Sequence, residues 1–423
     1  MAVVLLSLGV VVLFRFSDTQ VSDPREGPLA SWSVTMPIGV GDKPVAAIGE
    51  TVVVPGENTI VGMTGAAGRA VWRRNVGEDY SYSIADGLVV IQTSKSGPLE
   101  VLDPATGAAK WRIGKSDETL VTEDSVYTRD CAGNDGSCAI TRRDVDDGTV
   151  RWRIRADYGF GDADEFVGAR PPTAPSVGRY IAVASSDGAT RVLDVRTGRL
   201  ANGRLHKAHG WYDFVTGRTL VTTDHDPPDG DENCTVTITA VDAVTGRRRW
   251  AGTAFSGQDE AGECTQDLAP HTTGMIMIGA GSQIAACTSH GAPQVIDLAT
   301  GRTVWTARAP GVPIDGDGRS ILVRQSADHG GLSLLDFHTG RTRWSAPDPG
   351  LSGTSASWKT AITGRLVAVT GATGDRLHVL VYRADTGQRL GRFPGWIAGL
   401  GDDWAAVIHS ATADKITFDF IRF

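Results

Sequence analysis

The sequence is short of the motifs that carry common enzyme chemistry. It has no Gly-x-Ser-x-Gly elbow, no glycine-rich phosphate loop closed by lysine and no His-Glu-x-x-His pair. Their absence excludes the familiar forms of serine hydrolase, P-loop nucleotide enzyme and zinc protease. No cluster of lysine and arginine interrupts the chain, and its net charge is −8. Both argue against nucleic acid as a partner. Five cysteines lie at spacings that match no structural zinc site. Aromatic residues make up only 7%, and no amphipathic helical period is found after Phe16. The opening apolar run, AVVLLSLGVVVLF at residues 2–14, rises about 20 Å as a helix, short of the roughly 30 Å hydrocarbon core of a bilayer.

Small and turn-forming residues are abundant. The 423 residues include 52 Gly and 19 Pro, with 41% hydrophobic residues. That is ample for a large core built from short strands. Arginine carries most of the basic charge. The bias toward Ala, Gly, Val, Asp and Thr resembles a GC-rich, actinobacterial usage.

Residues 1–16 read as a signal segment or membrane anchor, 17–30 as a linker rich in Asp, Ser and Pro, and 31–423 as one repetitive domain. No small-x-small cleavage site follows the apolar run, and no cysteine follows it to accept a lipid. Arg15 and Arg25 lie on its far side, against the positive-inside rule. The reading adopted is a membrane-tethered, extracytoplasmic chain whose basic flank lies upstream.

The repeat is Asp-x-x-Thr-Gly-x-x-x-Trp after a short apolar strand. It occurs as VLDPATGAAKW, AVDAVTGRRRW, VIDLATGRTVW and LLDFHTGRTRW, ending at Trp111, Trp250, Trp305 and Trp344. Weaker copies end at Trp72, Trp152, Asn202 and Gly391. The turn glycines Gly68, Gly107, Gly148, Gly198, Gly246, Gly301, Gly340 and Gly387 lie 39, 41, 50, 48, 55, 39 and 47 residues apart. That period, with strand-like alternation between the turns, predicts four-stranded antiparallel propeller blades. Glycine supplies the positive φ of the hairpin, Asp and Thr bond the free N–H groups of the turn, and Trp covers the next blade. Eight turn glycines predict an all-β propeller of eight blades, one of them irregular. Nine would follow if SWSVTM, with Trp32, shared a blade with the C-terminal segment WIAGLGDDWAAVIHSATADKITFDFIRF.

These copies resemble the pyrroloquinoline-quinone-type propeller repeat over about residues 30–423. That family includes quinoprotein alcohol dehydrogenases, the outer-membrane assembly lipoprotein and sensor ectodomains of bacterial kinases. The resemblance assigns blade docking to Trp72, Trp111, Trp152, Trp250, Trp305 and Trp344 with Gly107, Gly246, Gly301 and Gly340. For the copies at Asn202 and Gly391 it implies looser or differently packed interfaces. A quinoprotein would also need an adjacent cysteine pair, a Trp floor, calcium ligands and a catalytic Asp. The chain has no adjacent cysteines and no transferable ligand set, so no catalytic, cofactor or metal residue is assigned.

Cys131 and Cys138 bracket the turn-rich AGNDGS and are expected to form a disulfide in an oxidising compartment. Cys234 and Cys264 form a second candidate pair, and Cys287 reads as a buried thiol. His206 and His209 read as exposed. Acidic loops near Asp162, His225 and Asp315 lack the register of a twelve-residue calcium loop. Long segments at 155–176, 223–234 and 251–270 are the candidate binding edge, with Tyr158, Phe160, Phe166 and Phe255 as anchors. The functional expectation is a non-catalytic envelope scaffold that binds a protein or peptide. The alternatives are a quinone-dependent oxidoreductase and a sensor ectodomain.

Overall fold

In the computed structural model the described residues are 27–28, 31–36, 43–77, 79–94, 96–132, 137–160, 179–185, 190–201, 212–226, 233–258, 279–280, 282–287, 291–325, 331–351, 358–374, 376–411 and 415–423. They form nine four-stranded sheets, each paired in antiparallel order. Eight of them are consecutive meanders: blade 1 at 46–75, blade 2 at 81–113, blade 3 at 118–156, blade 4 at 158–200, blade 5 at 212–258, blade 6 at 279–306, blade 7 at 312–346 and blade 8 at 359–394. Blade 9 takes its first three strands from Trp396–Leu400, Trp404–Ala411 and Ile416–Arg422, and its outer strand from Trp32–Met36.

The expected count of eight is therefore corrected to nine. In blade 9 the outer strand arrives from the other end of the chain, with Trp32 opposite Phe420 and Met36 opposite Ile416. No hairpin joins its third and fourth strands, so this blade has no Asp-Thr-Gly turn. A count of such turns falls one short of the number of blades. Among the described residues there is no helix, and none long and apolar enough to cross a membrane. The apolar run 2–14 lies outside the described residues.

Apolar second and third strands supply the core. Thr51–Pro55 and Leu88–Gln92 are buried along their whole length, as expected of strands covered on both faces. Outer strands are mostly exposed, as in Ala70–Asn75, apart from the inward indole.

Each indole crosses a seam between blades. Trp72 Nε1 donates to Pro104 O at 2.7 Å, Trp111 to Val145 O at 2.8 Å and Trp152 to Val195 O at 2.8 Å. Trp250 reaches Leu298 O at 2.7 Å, Trp305 reaches Phe337 O at 2.8 Å and Trp344 reaches Ala384 O at 3.1 Å. Trp32 joins the set through Gly65 O at 2.8 Å. In every case the acceptor lies three residues before a turn glycine of the following blade, and the ring lies on that glycine. A Cβ on Gly107 would come within 2.5 Å of Trp72, and one on Gly301 within 2.6 Å of Trp250. These glycines have φ near +70°, so two independent constraints select glycine there.

A bulge recurs beside the indole. Trp111 pairs with Val101 but Ala109 with Leu102, leaving Lys110 as the extra residue. The same shift precedes Trp72, Trp152, Trp250, Trp305 and Trp344. In blades 1 and 6 the bulged residue is Val71 or Val304, and this is why those two valines are among the exposed apolar side chains.

Two seams differ. Blade 4 ends in the two-residue strand Arg199–Leu200, with no bulge and no indole. Blade 8 keeps the bulge, but Gly391 stands at the Trp register opposite Val381. There the chain entering from the N-terminal side passes over the strand, and a Cβ on Gly27 would meet Leu390 O at 2.6 Å and Gly391 Cα at 2.7 Å. The missing indole makes room for backbone.

Gly107→Ala combines positive-φ strain with a clash against the indole, and should cost about 3 kcal/mol. Gly217→Ala, also at positive φ but with nothing within 4 Å of the new Cβ, should cost about 1 kcal/mol. Urea denaturation of the two variants measures the difference that the seam contributes.

Candidate functional site

The two ends of the ring have different chemistry. At one end lie the repeated turns. Asp336 Oδ1 accepts from Thr339 N at 3.0 Å and from Thr339 Oγ1 at 2.8 Å, while Gly340 N donates to Asp336 O at 2.9 Å. Asp297 with Thr300 and Asp242 with Thr245 repeat the arrangement.

The bulge gives these turns a further partner that the motif alone did not reveal. The bulged residue before the indole swings back, so Arg343 Nη2 meets Asp336 Oδ2 at 2.8 Å. Arg249 meets Asp242 at 2.7 Å and Arg151 meets Asp144 at 2.5 Å. The Arg immediately before Trp in GRTRW and GRRRW was the available signal. The bond from Arg343, opposed by burial and aided by Thr339, lowers the Asp336 carboxyl to about 2. Burial raises Asp242, but the bonds from Arg249, Thr245 and Val244 outweigh it and hold the carboxyl far below its usual range. These carboxylates are committed to the turn and to its arginine, so this end of the ring is structural.

The other end carries the hairpins between second and third strands, together with the crossovers from each outer strand to the next inner one. Its best-defined part is at blade 3. Cys131 and Cys138 lie directly opposite across the hairpin and are disulfide-bonded. Asp117, on the crossover from blade 2, accepts from Cys131 N at 2.6 Å and pairs with Lys115 at 3.0 Å. The Cys131 N–H is the main reason the Asp117 carboxyl is lowered. Glu118, at the start of the inner strand, pairs with Arg129 and accepts from Phe160 N at 2.7 Å. Burial, with the Asp117 charge behind it, raises the Asp130 carboxyl.

One hairpin, one crossover and the first residues of blade 4 are thus held together by half-buried charges. Such a surface can recognise a polar partner through fixed ion pairs and hydrogen bonds. Its polar groups were missed because strand periodicity reads Glu118, Arg129 and Asp130 as ordinary alternation. An acidic pair followed by Arg-Asp in the facing strand was the only clue.

The aromatic anchors divide. Tyr158 and Phe160 are 4% and 5% exposed and pack with Tyr127, Ile140 and Val183 in the core between blades 3 and 4. Both are removed from the candidate edge. Burial pushes the Tyr158 hydroxyl up to about 12. Phe166 and Cys264 lie outside the described residues. The side chains of Phe255, Cys234 and Cys287 are likewise outside the description, although their strands are placed. In blade 5, Asn233 pairs with Gln258. Asp226, Asn233 and Gln258, the ends of its second, third and outer strands, therefore lie at one end of that blade, the same end as the disulfide hairpin.

A quinone site does not fit the described residues. Seven indoles are wedged between blades with their N–H groups bonded, Trp358 lies under Arg324 and Trp404 stacks on Phe420. Trp396 packs partly buried against the core of blades 9 and 1. None of these is left as a cofactor floor. Among the described residues no three His, Cys, Asp or Glu side chains group to hold a metal, and the described disulfide joins hairpin strands instead of adjacent residues.

A family model described as "Outer membrane protein assembly factor BamB" matches residues 81–210 and 235–393. The chain belongs to this family of PQQ-type propeller repeats. The expected resemblance is borne out. Among solved structures, BamB from Moraxella catarrhalis is 17% identical, covering 94% of this chain and 100% of its own, with a TM-score of 0.43. A europium-containing methanol dehydrogenase is 13% identical, with coverages of 92% and 93% and a TM-score of 0.42. Quinohemoprotein alcohol dehydrogenase from Comamonas testosteroni is 13% identical, with coverages of 92% and 76% and a TM-score of 0.43. No curated protein matches the sequence.

Two outcomes are expected. Because the Asp336 carboxyl is lowered in the fold, its stabilisation is full above the unfolded value near 4 and is lost as pH falls through about 2. Asp336→Asn should therefore lose less stability than the parent over that acid window, measured by denaturation at stepped pH. Replacing Cys131 and Cys138 together by Ala should cost about 2 kcal/mol, the chain-entropy value for so short a loop, measured by urea unfolding.

Proposed function

We propose that this propeller is a non-catalytic scaffold, tethered to a membrane by its N-terminal apolar segment, that binds a protein or peptide on its hairpin end in the cell envelope. The observation that carries this reading is the division of labour between the two ends of the ring. Asp, Thr, Arg and Trp side chains of the repeat are spent on turns and seams, whereas Asp117, Glu118, Arg129 and Asp130 form a clamped polar surface that the repeat does not require.

The Cys131–Cys138 bond supports an oxidising, extracytoplasmic compartment. Membership in the BamB-described family is in keeping with a scaffold. The apolar run at residues 2–14 supports the tether. Oxidoreductase chemistry is not favoured, because the described indoles and the turn carboxylates Asp242, Asp297 and Asp336 already have structural partners.

The test is capture from detergent-solubilised envelope by the full chain and by two variants. One carries Glu118→Gln with Arg129→Gln, and the other lacks residues 161–176. Both variants should keep a folded-state melting transition and lose the captured partner. Undiminished capture by both would overturn the assignment of the hairpin end.

A further inference from the structure

We propose that the rim of the ring across blades 8, 9 and 1 docks edge-on against an anionic phospholipid surface. The inference begins with a segregation of charge that linear sequence conceals. The nine outer strands together carry thirteen Arg or Lys residues and no Asp or Glu. The whole chain has 41 basic and 49 acidic residues, so the rest of the chain is left with 28 against 49. An acidic protein thus has a basic perimeter. Among the described ion pairs, five involve rim cations, and their partners Glu100, Asp144, Asp146, Asp242 and Asp336 all lie on third strands or turns. The rim strands themselves place only positive charge outermost.

Two features select one arc. Arg389 and Arg392 lie on the outer strand of blade 8, Arg73 and Arg74 on that of blade 1, and the uncharged Trp32–Met36 strand lies between them. The entering chain also reaches the ring on this arc, since Gly27 sits over Leu390 and Gly391. Phe14, the end of the apolar run, is joined to Gly27 by a stretch that spans at most about 45 Å when extended. Choosing this arc rests on the tethered reading given above. The charge segregation does not. A basic residue near an anionic leaflet favours binding by roughly five-fold, and the effect fades within a Debye length. Arg74 is already paired with Glu100, and Arg73, Arg389 and Arg392 stand on strands that carry no carboxylate, an arrangement that suits phospholipid phosphates. In this pose the ring axis lies parallel to the bilayer, and both ends of the ring stay open to solvent.

The experiment is flotation of the full chain with vesicles of phosphatidylcholine alone, or with about 30% phosphatidylglycerol, at about 0.05 M and 0.5 M salt. Phosphatidylglycerol should raise partitioning at least about ten-fold at low salt, and high salt should erase the increment. The variant R73Q/R74Q/R389Q/R392Q should lose that increment. R112Q/R153Q/R155Q/R248Q, on blades 2, 3 and 5, should keep it. Melting curves check that both remain folded.

Equal partitioning on the two lipids, or equal loss in both variants, would overturn the proposal. So would binding of the four arginines to soluble polyphosphate without binding to phosphatidylglycerol vesicles, which would favour a polymer instead. Failure of the tether has a separate signature. No partitioning on phosphatidylcholine, with the phosphatidylglycerol increment intact, would sink the anchor and leave the rim assignment standing.

Discussion

Seven of the nine seams in this ring depend on one contact, an indole laid flat on a glycine of the neighbouring blade with its N–H bonded to a carbonyl of the same turn. The contact does two jobs. It buries a large aromatic face that a single blade has no means of covering, and it uses a carbonyl of the turn that would otherwise face the seam without a donor. Glycine is required from both directions, by the positive φ of the turn and by the ring above it. A blade is therefore incomplete alone, and its neighbour supplies what it lacks. Repetition of one such seam lets short strands build a domain of this size.

The bulge before the indole links that seam to the turns. In regular alternation adjacent residues point to opposite faces, and the residue before Trp would face away from the turn. One extra residue re-aims it, and where that residue is arginine it closes on the Asp of its own hairpin. The Asp then serves as a hub, accepting from Thr on one oxygen and from Arg on the other. Docking and turn geometry are thereby coupled through one side chain. Where the bulged position holds valine, as at Val71 and Val304, the seam persists without that ion pair.

The repeat was legible because its constraints are local. Asp, Thr, Gly and Trp are fixed by one turn and one facing ring, so they recur at short spacing. The blade count was misread because blade 9 is assembled from distant parts and needs no connecting turn. The aromatic residues at Tyr158 and Phe160 were misread for a related reason. They follow directly after the outer strand of blade 3 and look like loop, yet Tyr158 begins the inner strand of blade 4, Phe160 directly follows that strand, and both are covered by the neighbouring core. The polar clamp at blade 3 was invisible because it joins residues from a crossover, an inner strand and a hairpin. Only the spatial arrangement brings Asp117, Glu118, Arg129 and Cys131 together.

The composite ninth blade makes synthesis and completion run in opposite directions. The segment holding Thr35 leaves the ribosome early, yet its hydrogen-bonded companion Thr417 lies 382 residues later. Until both are present, Phe418 and Phe420 have no cover from Trp32, and the nascent ring is an open spiral with a greasy lip. Such a long-range final step makes folding slow and leaves the late intermediate prone to aggregation. The Trp32–Met36 strand acts as a latch, and it must be kept free until Ile416–Arg422 has been made.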